Sequence, residues 1–285
     1  MNAGRHAPRR IVVAFDASAG SRAALITAAA AAEVLGADIE ALFVEDADLL
    51  HLAGLPFARA LGPGGFHPLD VQAMERVLHE HALAAERACN EIGHGLNVNW
   101  RFRVERGRIG SVLLAATDRG DLIALGTTGG RSALAGLGST ARALLAVRDR
   151  SLLIASPQTA LTGPIGCVFD GGPSAGETLS RAKTLARAAQ RPLVLYLTGN
   201  TPAEYARQRE TASRYITDPR LPVRYRSAPF TDPRALADLI LADSPSSVVL
   251  SQPLGMPASE FRALLGRLDG IAWVTAAAPA ENVVS

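Results

Sequence analysis

Three places in the sequence set residue types where they could hold an anion or a small polar ligand. Gly126, Gly129 and Gly138 punctuate a stretch dense in glycine and small hydroxyl residues, and Ser139 with Thr140 opens the helical segment behind it. Glycine lets a phosphate oxygen come against the main chain without meeting a Cβ, and the first turn of a helix aims amides and hydroxyls at negative charge. That chemistry is a phosphate cradle. The competing reading makes Gly126, Gly129, Gly130, Gly136 and Gly138 plain turn residues of an Ala/Gly-rich chain. Asp16 closes a first apolar run, and Val44 closes a second just before Glu45 and Asp46. No nucleophile set accompanies them: all six histidines lie within the first 94 residues, far in sequence from Ser139 and Asp170. His79 and His81, two apart on a helix, point to different faces and cannot share a metal. Cys89 and Cys167 stand far apart without Cys-x-x-Cys or Cys/His spacing, which argues against a metal and for a reducing compartment.

The elements that must position these residues alternate between short β-branched runs and amphipathic segments, the pattern of a parallel sheet covered by helices. In the first half, strands are expected at 11–15, 39–44, 98–104, 121–125 and 151–155. Ser18 or Ser21 can cap a first helix, and Gly36 supplies its left-handed stop. Residues 45–69, broken by Pro56, Gly62, Pro63, Gly64, Gly65 and Pro68, are too long for a plain connection and read as a partly helical flap. A helix from about 70 to 92 follows, with Leu78, Ala82, Ala85, Cys89 and Ile92 on one face. Trp100, Phe102 and Val104 alternate with Arg101 and Arg103, as on an edge strand with one solvated face. Helices are expected at 107–119 and 139–147. Beyond a linker at 157–164 the series repeats: strands at 165–169, 193–197, 223–226, 247–250 and 271–275, with helices between, and no counterpart of the flap. In such sheets ligands settle outside the carboxyl ends of the strands, where the strand order reverses. Asp16, Val44 and Gly126 all follow strands.

Composition narrows the partners. The 285 residues carry 48% hydrophobic and 20% charged side chains, which suits a folded protein of one or two domains. Twenty-nine basic against 27 acidic residues are spread over both halves, so neither offers the one-signed field that nucleic-acid binding needs. The apolar runs are short for a signal core or a bilayer span, and the chain is expected in the cytoplasm.

The series Ile11-Val-Val-Ala-Phe-Asp16-Ala-Ser18, Ala41-Leu-Phe-Val44, Asp121-Leu-Ile-Ala-Leu-Gly126-Thr-Thr-Gly129 and Gly138-Ser139 resembles the universal stress protein domain. The resemblance implies a five-stranded parallel sheet of the adenine nucleotide alpha hydrolase-like kind. In one subgroup it implies ATP or another adenine nucleotide, with or without Mg2+, held by a loop written G-x2-G-x9-G-[ST]. Eight residues separate Gly129 from Gly138 here, one fewer than that pattern. Carried over by position, Asp16 and the main chain of Val44 would face the adenosine, and Gly126, Gly129, Gly138, Ser139 and Thr140 the phosphates. Arg131 is a candidate phosphate ligand from within the loop, its alternative being a solvated surface arginine. The segment Phe43 to Arg59 is similar to two-domain bacterial members. Val168-Phe-Asp170-Gly-Gly-Pro-Ser174 resembles the same start again, but Ser251-Gln-Pro-Leu-Gly255-Met-Pro257 replaces the glycine loop, and its two prolines remove amide donors.

The resulting expectation is two open parallel five-stranded sheets with helices on both faces, residues 1–157 with a nucleotide loop and 158–285 degenerate, facing each other as an intramolecular pseudo-dimer. Association of two such chains into a homodimer is left open. The function expected is that of an adenine-nucleotide-binding regulator or sensor in a stress response with a protein partner, not primarily catalytic. The alternatives are a scaffold without nucleotide or a slow ATP hydrolase.

Overall fold

The computed structural model describes residues 8–55, 57–62, 65–68, 70–127, 138–155, 162–229, 232–252, 254–268 and 272–276. In the first half, strands β1 (Arg10–Ala14), β2 (Asp38–Asp46), β5 (Trp100–Gly107), β6 (Leu122–Gly126) and β7 (Ser151–Ala155) are linked by helices α1 (Ala19–Leu35), α4 (Ile109–Ala116) and α5 (Ser139–Val147). Between β2 and β5 the flap folds as helix α2 (Ala47–Ala53), a hairpin of β3 (Arg59–Gly62) with β4 (Gly65–Pro68), and helix α3 (Val71–Gly93). The second half runs β8 (Ile165–Phe169), α6 (Ala175–Ala188), β9 (Leu193–Gly199), α7 (Pro202–Tyr215), β10 (Val223–Pro229), α8 (Pro233–Ala242), β11 (Ser247–Ser251), α9 (Ala258–Arg267) and β12 (Ala272–Thr275).

The main sheet has ten strands in the order β10-β9-β8-β11-β12-β7-β6-β1-β2-β5. Numbered within its own half, each set of five has the same order, 3-2-1-4-5, and every pair inside a half is parallel. The two expected five-stranded sheets are therefore present but continuous. They join where β7 and β12 pair antiparallel, Trp273 opposite Leu153. The boundary expected at 157/158 lies outside the described residues.

Strands buried on both faces read as near-continuous apolar runs, because helices cover each side. Accordingly β1, β6, β8, β9 and β11 are almost wholly buried. One apolar layer, with Ile11, Phe15, Leu25, Cys89, Cys167, Leu179 and Trp273, runs through both halves on one face, and a second, with Val12, Leu144, Leu152, Tyr196, Phe261 and Val274, lies on the other. Both cysteines are buried and unpaired. The helix starts follow their caps: Ser18 accepts from Ser21 N–H ahead of α1, Gly36 in the left-handed region ends it, and Asp70 caps α3.

One charged group lies inside this frame. Glu40 of β2 has no exposed side-chain surface and meets Arg10 at 2.8 Å, Arg101 at 2.6 Å and Arg103 at 3.4 Å. Arg10 also reaches Asp121 at 2.6 Å and the carbonyl of Ala116 at 2.8 Å, so one network ties β1, β2, β5 and the turn before β6. Burial opposes ionisation of Glu40, but hydrogen bonding and attraction from Arg101 and Arg10 outweigh it and hold its pKa below the ordinary glutamate range. Removing one member of a buried charge network leaves the others uncompensated. Glu40→Ala should cost about 3 kcal/mol in urea unfolding, limited because Arg101 reaches solvent. A depressed folded pKa contributes stability above the unfolded value. The gap between wild type and Glu40→Ala should therefore be complete above roughly pH 5 and shrink as pH falls through the folded pKa, which unfolding curves at several pH values would measure.

Candidate functional site

In the first half the strand order reverses between β1 and β6, whose carboxyl ends point the same way. Outside those ends lies a cavity of about 410 Å3, walled by the ends of β1, β2 and β6 and by the starts of α1, α4 and α5. Asp16, Val44, Gly126, Gly138, Ser139 and Thr140 all line it. Gly129 and Arg131 lie outside the described residues.

The cavity has an apolar and a polar side for local reasons. Phe15, Leu42, Val44 and Leu125 stand at or near the carboxyl ends of strands whose other residues form the core, and Phe15 itself is buried in that core. The polar side is made by turns. After β1 the chain passes through Ala17 in the left-handed region (φ 61°), and Ser18 N–H donates to Asp16 Oδ1 at 3.0 Å. Asp16 N–H in turn donates to Ser21 Oγ at 3.3 Å. Partial enclosure works against the Asp16 charge, but hydrogen bonds from Ser18 and Ser21 win and hold its carboxyl below the usual aspartate range. Asp16 is thus ionised and accessible at the cavity. Across from it, α5 begins at Ser139 with Gly138 as its N-cap and no capping side chain. The first amides of a helix have no acceptor within the helix, and its dipole favours an anion there.

The two described glycines differ in what they do. A Cβ on Gly126 would lie 2.1 Å from the main chain of Gly20, and one on Gly20 would lie 2.5 Å from Thr127 O. Gly126 is glycine because α1 presses its first turn onto the end of β6, which answers to the structural reading more than to room for a phosphate. Gly20 is the residue that sequence reasoning missed; its signal was a glycine one position into a capped helix, where propensity disfavours it. Gly138 has ordinary backbone angles, and a Cβ there would meet nothing within 4 Å. Packing does not require glycine at that position.

The second half repeats the turn without the cavity's polar wall. Gly171 (φ 71°) takes the place of Ala17, and Gly172 N–H donates to Asp170 Oδ1 at 2.9 Å. By the strand registers Gly126 corresponds to Ser251, and Gly20 corresponds to Ser174. The close glycine pair has become a serine pair. Over the strand ends lies α7: Gln208 Nε2 donates to Asp170 O at 3.1 Å and to Thr198 O at 2.6 Å, and Tyr205 OH donates to Gly199 O at 2.7 Å. The segment after β11 buries Gln252, Leu254 and Met256, and Gln252 donates to Leu145 O of α5. At Asp170 burial prevails over Gly172 N–H and the Ser251 hydroxyl and pushes the pKa up, opposite to Asp16.

The model of the Universal stress protein family matches residues 8–155, just over half of the chain. The chain belongs to the universal stress protein family. Its fold is similar to that of a universal stress protein from Archaeoglobus fulgidus DSM 4304, at 14% identity and TM-score 0.71 over 94% of this chain and 98% of that one. It is also similar to a functionally unknown protein from Pseudomonas aeruginosa PAO1, at 14% identity and TM-score 0.57 over 95% and 93%. At such identity the likeness concerns the fold, and it extends through both halves. Comparison with curated proteins gives no match.

Among the described residues that line the cavity, Asp16 is the one carboxylate. Among the described residues no group of three or more His, Cys, Asp or Glu could hold a metal ion, and no helix is long and apolar enough to cross a membrane. The glycine analysis gives a direct test by thermal or urea unfolding. Gly126→Ala should destabilise by about 2–3 kcal/mol, because main chain must move to admit the methyl group. Gly138→Ala should cost less, about 0.5–1 kcal/mol, the difference between glycine and alanine at an N-cap.

Proposed function

We propose that this universal stress protein is an adenine-nucleotide-binding regulator or sensor whose first half takes ATP or another adenine nucleotide. The observation that carries the reading is the single cavity that gathers Asp16, Val44, Gly138, Ser139 and Thr140, with aliphatic and aromatic walls on one side and the start of α5 on the other. A flat heterocycle suits the first surface and a phosphate chain the second. Asp16, ionised and held by Ser18, is an acceptor for hydroxyl or amino groups of the nucleoside. Magnesium, where it accompanies the phosphates, would find one protein carboxylate there, in keeping with an ion that relies on phosphate and water for its other ligands.

Asp16 is the one titratable side chain among the described residues lining the cavity, and Ser18 already occupies one of its oxygens. That supports binding over hydrolysis, which needs a group free to activate water. The second half is read as nucleotide-free, since α7 and the segment after β11 occupy the corresponding place. A scaffold without small ligand is the second reading. It is favoured by the packing role of Gly126 and by the recurrence of the aspartate turn at Asp170.

Isothermal titration with ATP and with AMP decides between them: one site per chain is expected. Asp16→Asn preserves an acceptor for Ser18 N–H while removing the charge, and should weaken binding roughly tenfold. Asp170→Asn should leave it unchanged. No heat with either nucleotide would leave the scaffold reading standing, and two sites per chain would overturn the assignment to the first half.

A further inference from the structure

The ten-stranded sheet ends at β10 on one side and at β5 on the other. We propose that the free edge of β5 is the surface through which two copies of this chain associate, antiparallel about a two-fold axis at Val104.

The edge is suited to pairing. All eight residues of β5 run in unbroken register with β2 and include no proline. Ile39 N–H donates to Asn99 O at 2.8 Å, so the odd-numbered residues of β5 turn their main chain to β2. The N–H and C=O groups of Trp100, Phe102, Val104 and Arg106 therefore face outward. Val104 is 43% exposed. Charged side chains usually blunt such an edge, and here they select a register instead.

Outward-facing residues of two copies can meet with the axis at position 102, 103, 104 or 105, and side chains directly opposite then attract or repel. An axis at 103 sets Arg103 against Arg103 of the second copy, one at 102 sets Arg101 against Arg103, and one at 105 sets Glu105 against Glu105. Only the axis at 104 is free of like pairs: each Arg103 faces Glu105 of the second copy, Val104 faces Val104, and Arg101 faces Gly107. Arg103 and Glu105 already pair within one strand, so both stand on the same face. At the opposite edge, Leu193 N–H donates to Pro222 O, which turns Val223, Tyr225 and Ser227 outward. An axis at Tyr225 would set Arg224 against Arg226, and β10 ends in Pro229, which has no N–H to give. A contact one strand wide falls below the ~1,200 Å2 of total buried surface usual for stable complexes, so the dimer is concentration-dependent.

Sedimentation equilibrium of the full chain over a wide concentration range tests this. The mass of the wild type should rise towards twice that of the monomer. Glu105→Arg alone puts arginines opposite one another and Arg103→Glu alone puts glutamates opposite one another, so each should remain monomeric. An equimolar mixture of the two variants restores both opposite-charge pairs and should dimerise again, an outcome that misfolded variants could not give. Val104→Cys, at a hydrogen-bonded pair with Cα atoms about 5.5 Å apart, should cross-link on oxidation with copper–phenanthroline, and Ser227→Cys should not. A wild type that stays monomeric, a dimer that persists in both single variants, a mixture that stays monomeric, or cross-linking through Ser227→Cys instead would each overturn the proposal.

Discussion

The antiparallel meeting of β7 and β12 holds the molecule together. A parallel five-stranded sheet has two edges whose main-chain groups lack strand partners, and its helix layers end abruptly beside the fifth strand. Pairing β7 with β12 removes one edge from each half and lets the apolar layers run across the seam, where Trp273 is 1% exposed. Helices α1 and α6 meet over that seam, so the first turn of α1, which carries Ser18, Gly20 and Ser21, belongs to a helix braced from both halves. The cavity is local to one half; the rigidity of its walls is a property of the whole sheet.

Given that frame, the two halves show how little sequence separates an open crevice from a filled one. Both have the same strand order, the same aspartate after the first strand and the same left-handed residue after it. One difference lies in a pair of contacts. Gly20 and Gly126 let α1 approach the end of β6 at main-chain distance, while the corresponding positions hold Ser174 and Ser251. The sign of the aspartate shift follows: hydrogen bonds dominate at Asp16, and burial dominates at Asp170. A sequence motif shared by the halves thus marks a turn that the fold needs in both, and cannot by itself mark a ligand.

Most of the architecture was legible in the sequence because its signals are local. Strand runs such as 151–155 and 165–169, and the helix at 139–147, agree residue for residue, since buried parallel strands are short apolar runs and helices follow local propensity. The expected helix at 107–119 is shorter, Ile109–Ala116, because Arg108 and Thr117 both take extended backbone. The hairpin of β3 and β4 was hidden among glycines and prolines that read as loop. Non-local facts were not legible. Glu40 sits in an apolar run, and nothing nearby announces that Arg10, 30 residues before it, and Arg101, 61 after it, neutralise it. At the site, the gathering of Asp16, Val44 and Gly138 followed from knowing where a doubly wound sheet leaves its crevice. The pairing of Gly20 with Gly126 depended on how closely a helix and a strand end approach, which no spacing encodes.

Among the described residues, the two halves also differ in what lies over their strand ends. Between β2 and β5 the chain has 53 residues, enough to build the flap away from the strand ends, and between β9 and β10 it has 23. In the second half α7 lies over the carboxyl ends of its strands, and its polar side chains satisfy carbonyls that a ligand or water would otherwise take. Gln208 bonds the carbonyls of Asp170 and Thr198, and Tyr205 those of Gly199 and Ala228. Buried carbonyls must find donors, and here the protein supplies them from its own helix. In two identical chains any such change would appear in both sites at once. Joining the halves in one polypeptide let the second fill its crevice and serve as the brace for the first.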